Sequence, residues 1–178
     1  MSERRGHDWK PALLVFVVVV ALIGIPTALA AVVPTRETLV PPRTEITLSA
    51  PGEAPGTIGF SEVAGYARRP TGDQTSAVLD APGGAVLLVT VVNGVTDLPT
   101  TLEWRRKVLG LQAFPVEFDG GAIRTAHDFV GLTCRGRDRP GVCAVVGNHN
   151  LAVTVMLSGD AATVPELLRI VNSLQVRA

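Results

Sequence analysis

The chain has 178 residues, enough for one modest domain with additional segments. Its 16 Lys and Arg balance its 16 Asp and Glu. No global field draws in nucleic acid, so a nucleic-acid partner is not expected.

The first element in chain order is an apolar run. From Ala12 to Val33 there are 22 residues without a charge, ALLVFVVVVALIGIPTALAAVV. About 20 apolar residues span a bilayer core as a helix, and a helix satisfies its own backbone groups there. Arg4, Arg5 and Lys10 precede the run, and Trp9 sits where an interfacial aromatic belongs. This predicts a single-pass transmembrane helix over 12–33, with the lipid bilayer as its partner. The tail 1–11 is then cytoplasmic and the rest of the chain lies outside. The alternative is a secretory signal. Ala12–Ile25 has the length of an apolar signal region, Pro26 breaks a helix, and Ala28-Leu29-Ala30 reads as a cleavage site. Both readings export the remainder of the chain.

Residues 34–43, PTRETLVPPR, hold three prolines and read as an extended linker. The exported domain is then 44–178. TEITLS (44–49) alternates like a strand, and IGFSEVAGYA (58–67) is a weaker strand candidate. RRPTGD (68–73) is a turn, and TSAVLDAPGG runs into another. AVLLVTVV (85–92) is continuously apolar, as in a strand buried on both faces. In DLPTTLEWRRKVLGLQ, Thr100 and Glu103 match a capping box. Trp104, Val108 and Leu111 then form an inward stripe, with Arg105, Arg106 and Lys107 on the solvated face.

Asp119-Gly120-Gly121, within 116–126, is a hairpin signal. LAVTVML (151–157) alternates, with Leu151, Val153, Val155 and Leu157 on one face. Thr163 and Glu166 match a second capping box. The helix after it turns Val164, Leu167, Leu168 and Val171 inward. The tail QVRA adds a short strand. The predicted fold class is α+β: an N-terminal transmembrane helix, then a mostly antiparallel sheet with two amphipathic helices.

The ending GVCAVVGNHNLAVTVMLSGD…VPELLRIVNSLQV resembles the C-terminal half of small actinobacterial cell-envelope proteins with a Mog1/PsbP-like αβα domain. The shared features are a cysteine before a strand, the alternating LAVTV strand, and a closing helix with IVNSL. The resemblance covers about a third of the chain. It implies a fold and carries no catalytic motif. Lys10 and Lys107 are the only lysines among the 16 basic residues. That arginine bias, with abundant Ala, Gly and Val, is what a high-GC actinobacterial genome produces.

The two cysteines, Cys134 and Cys143, bracket CRGRDRPGVC. Exported cysteines meet an oxidising setting and tend to pair. Strand-like flanks around Gly136, Pro140 and Gly141 bring them opposite each other, so a structural disulfide is expected. The spacing is not Cys-x-x-Cys, which argues against a redox pair. A zinc site with His127 and His149 matches no common spacing, and His127 has the wrong parity for Cys134 on a regular strand. No metal and no cofactor are expected. Arg135, Arg137 and Arg139 form a candidate loop for an anion or a partner, either anionic lipid or an envelope protein. Its plain alternative is a solvated loop tip.

No catalytic residue is assigned, because no nucleophile elbow, phosphate loop or paired general acid and base is recognisable. The expected role is a membrane-anchored extracytoplasmic domain with binding or accessory work. A secreted domain for a small ligand or lipid is the alternative, and an enzyme is third.

Overall fold

The computed structural model describes residues 13, 15–22, 24–25 and 38–177. The chain divides into two units, residues 1–36 and 37–178.

The described residues of the first unit are helical. Among the described residues, no helix is long and apolar enough to cross a membrane. The transmembrane helix expected over 12–33 is corrected on that finding: its described residues belong to no helix long and apolar enough to span. The rest of that run, with Ala28-Leu29-Ala30, lies outside the described residues.

The second unit is mostly antiparallel sheet, which also corrects the α+β class. Its elements are β1 (Thr38–Leu39), β2 (Ile46–Ala50), β3 (Gly56–Phe60), β4 (Ala67–Arg69), β5 (Ser76–Asp80) and β6 (Val86–Val92). Helix α1 (Leu98–Leu111) comes next, then β7 (Val116–Arg124), β8 (Val130–Gly136), β9 (Gly141–Asn148) and β10 (Leu151–Ser158). Helix α2 (Val164–Asn172) and β11 (Gln175–Arg177) close the chain. Eight strands form one sheet in the order β1-β4-β5-β6-β10-β9-β8-β7, and β11-β3-β2 form a second. Residues 38 and 39 pair with β4, so the chain joins the sheet within the stretch 34–43 expected to be a spacer.

The main core lies between one face of the eight-stranded sheet and a layer made of the small sheet and α2. Leu87, Val89, Val153 and Val155 meet Leu48, Ile58 and Phe60, together with Leu167, Ile170 and Val171 of α2. On β10 the period-2 pattern works as read. Leu151, Val153, Val155 and Leu157 all enter this core, because alternate side chains share a face. In α2, Val164 is 42% exposed, not inward, while Ile170 is fully buried.

Helix α1 covers the opposite face, packing on β7 and β9. Beneath it Leu109, Phe114, Val116, Cys134 and Cys143 form a second small core. The covering is partial, so β6 alternates between buried and half-buried positions. It is not the doubly buried strand its composition predicts.

Two local expectations fail for identifiable reasons. Asp119-Gly120-Gly121 makes no hairpin. β7 runs through it, and its pairing with β8 shifts register between Phe118 and Ala122. Gly120 takes φ +80°, and Asp119 Oδ1 accepts from Gly121 N–H (3.1 Å) and from the Thr133 hydroxyl. The turn residues build a bulge that bends a single strand. Likewise Thr100 is not the cap of α1. Asp97 caps it, its carboxylate accepting Thr100 N–H at 2.8 Å, as an N-cap side chain does.

Candidate functional site

The stapled hairpin comes first, because the sequence singled it out. β8 and β9 pair in antiparallel register with Cys134 directly opposite Cys143. Their sulfurs are bonded, with Cα atoms 4.8 Å apart. Both are buried under α1. Gly136 is required at the tip, since a Cβ there would lie 2.2 Å from the backbone oxygen of Arg139. Arg135, Arg137 and Arg139 are all exposed, and each is held differently. Arg135 is still on β8 and reaches Asp119 at 3.6 Å. Arg137 donates its backbone N–H to Pro115 O at 2.9 Å. Arg139 borders a hollow of about 420 Å³ with Gln112, Ala113 and Phe114 at the end of α1.

A larger cleft, of about 730 Å³, lies where the β1–β2 and β3–β4 connections meet α2 and β11. The sequence did not single it out. Tyr66 and Glu166 form one wall, the phenol donating to Glu166 Oε1. Burial, and then the Glu166 carboxylate, push the Tyr66 pKa well above the usual tyrosine value. Arg177 Nε donates to Glu45 Oε1 at 2.6 Å in a forked pair at the rim. Ser173 Oγ accepts Ser61 N–H at 2.9 Å and donates to Ile170 O at 2.7 Å.

Arg43 and Arg169 also line the cleft. Among the described residues neither forms a salt bridge. Arg43 and Glu62 both hold positive φ, +61° and +66°. Non-glycine residues reach that region at a cost, and such positions gather at functional sites. An adjoining hollow of about 410 Å³ adds His127 beside Glu62 and Arg169. His149 is elsewhere, in the β9–β10 turn with φ +50°. The two histidines are therefore not brought together. Among the described residues no three His, Cys, Asp or Glu side chains could hold a metal ion.

The third feature overturns the reading of α1. Its buried residues are Thr101, Arg105 and Leu109. Trp104 is 50% and Leu111 88% exposed, while Arg105 is only 5% exposed. Two residues of the expected apolar stripe, Trp104 and Leu111, thus face outward, Val108 is half-buried, and an arginine faces the sheet. Arg105 Nε donates to Thr154 Oγ1 at 2.7 Å, and its guanidinium lies 5.4 Å from the Trp104 ring centre. Its Nη2 is buried without a hydrogen-bond partner. Burial pushes its pKa down to about 10.

Comparison of the chain with protein-family models, with curated proteins and with solved structures finds no match.

Proposed function

We propose that the chain is an exported, non-catalytic binding domain of the cell envelope, and that the cleft between α2 and the small sheet seats a polar ligand bearing an anionic group. Export is supported by the apolar run 12–33 and by a disulfide in the folded unit, since disulfides persist in oxidising compartments. For the last third of the chain, the order β9, β10, α2, β11 supports the resemblance to Mog1/PsbP-like domains.

One observation carries the ligand reading: Arg43 and Arg169 line the cleft without an ion pair among the described residues. Guanidinium groups recognise carboxylate and phosphate through paired donors. The cleft's volume falls in the usual range for small-ligand sites, about 300–1,000 Å³. Its walls of charged and hydroxyl groups favour a polar ligand over an apolar one. The non-catalytic reading is supported by two of the cleft's hydroxyls, which are already engaged: Tyr66 with Glu166, and Ser173 with the Ser61 backbone and Ile170.

The test is thermal unfolding of the purified chain with inorganic phosphate, succinate or glucuronate. A ligand that binds only the folded chain raises its melting temperature. At least one anion should do so, and Arg43→Gln with Arg169→Gln should abolish the effect. An equal rise in that double variant, or no rise with any anion, overturns the cleft. Protease added to cells stripped of their wall should reach residues 37–178; protection would overturn export.

A further inference from the structure

We propose that the outer face of α1 and the tip of the stapled hairpin form one docking surface for an anionic lipid bilayer. The surface is separate from the cleft and does not rest on the ligand reading.

The apolar part comes from α1 itself. Trp104 and Leu111 are half and almost wholly exposed. Lys107 lies between them at the i, i+3, i+7 spacing that shares a helix face. These residues are outward because Thr101, Arg105 and Leu109 occupy the buried line. Trp104 is also placed by the Arg105 guanidinium beside its ring.

The hairpin tip joins this face at the helix exit. Arg137 is tied by its backbone to Pro115. Arg139 shares a hollow with Gln112 and Ala113, the residues directly after Leu111. The apolar pair is thus bordered by Lys107 on the helix and by Arg137 and Arg139 at its exit, against the acid Asp138, while Arg106, two residues on from Trp104, turns to another side of the helix. Arg106 is paired with Glu103 at 2.9 Å. Exposed Trp and Leu with surrounding cations match the chemistry of an anionic membrane surface: rings and methyl groups at the headgroup boundary, cations on phosphate. A second copy is a poorer occupant, because a two-fold pairing would bring the same cations face to face.

The test uses the full chain with Trp9→Phe, which leaves Trp104 as its one tryptophan. Its fluorescence then reports only on α1, whatever the N-terminal segment does. Phosphatidylglycerol vesicles should shift the emission to shorter wavelength and phosphatidylcholine vesicles should not. Salt should reverse the shift. Lys107→Gln, Arg137→Gln and Arg139→Gln should each weaken vesicle binding about fivefold, and Leu111→Ser should weaken it as well. Arg43→Gln with Arg169→Gln should leave it unchanged. Unaltered emission with phosphatidylglycerol overturns the proposal, as does an equal shift with both lipids. A lipid-free shift that grows with protein concentration overturns it in favour of self-association.

Discussion

Arg105 on α1 and Thr154 on β10 are joined by a 2.7 Å hydrogen bond in the interior, and among the described residues no carboxylate completes the pair. A buried charge without a counter-charge destabilises its surroundings. Removing one partner and removing both therefore have different consequences. Thr154→Val should destabilise the chain by about 1–3 kcal/mol, because it takes the acceptor from a buried donor. Arg105→Met with Thr154→Val should be neutral or stabilising, since apolar groups of similar shape replace both. Denaturant unfolding of the two single variants and the double variant closes the cycle. A double variant weaker than both singles would overturn this account of the pair.

The disulfide acts mainly on the unfolded chain. Closing a ring of ten residues stabilises by about 2–3 kcal/mol in the chain-entropy picture. Cys134→Ala with Cys143→Ala should lose that amount or more, because both side chains also fill the small core beneath α1. Intact mass before reduction should be two hydrogens below the reduced value. An unchanged mass would show free thiols.

Gly136→Ala tests the hairpin tip without touching the staple. The added Cβ meets the Arg139 backbone oxygen at 2.2 Å, and backbone cannot yield as a flexible side chain does. The expected cost is about 1–3 kcal/mol, as for other strained or overpacked sites. Disulfide content should remain complete under oxidising conditions. Stability equal to the parent's would mean that the turn adopts another path.

Tyr66 is the one tyrosine of the chain, so its titration is directly readable. Burial and Glu166 raise its folded pKa above about 10, the value of an unfolded tyrosine. For a raised acid the sign is fixed. Its contribution is complete below pH 10 and is lost progressively above it, because the unfolded chain releases the proton first. Phenolate absorbance should therefore stay low past pH 10 while the chain is folded. Ordinary titration near pH 10 in the folded chain would contradict the buried Tyr66–Glu166 pair. Tyr66→Phe should lose about 1–2 kcal/mol below that pH.

Asp97 gives the acid-side counterpart. Thr100 N–H holds its carboxyl below the usual range. A depressed acid contributes above the ordinary carboxylate pKa and is lost as pH falls through the depressed value. Asp97→Ala should weaken the chain at neutral pH and match the parent's stability in strong acid. Equal stability at neutral pH would show that the cap contributes nothing.

The strands were legible where a local pattern meets a local cause. LAVTVML alternates because one face of β10 meets the core and the other meets α1. Cys134 and Cys143 read as a staple because their flanks form adjacent strands with a glycine turn. The bulge at Asp119-Gly120-Gly121 was not legible. A glycine with positive φ ends a hairpin or bends a strand equally well, and the partner strand β8 makes the choice. The cleft was hidden for a related reason. Arg43, Tyr66, Glu166 and Arg169 come from three distant segments, and no spacing rule joins them.

Helix α1 marks where sequence stops deciding. The sequence by itself determined that a helix would lie within 97–112, that β10 would be two-faced, and that the cysteines could meet, since each depends on neighbours a few residues away. Only the tertiary structure decided which way α1 turned. Its apolar stripe and its arginines offered two faces for burial, and the sheet beneath took Thr101, Arg105 and Leu109. Thr154 supplies the acceptor that Arg105 needs, and the small core of Phe114, Val116 and the disulfide receives Leu109. Those partners lie on strands formed later in the chain, so the burial of an arginine and the exposure of a tryptophan follow from packing and not from periodicity.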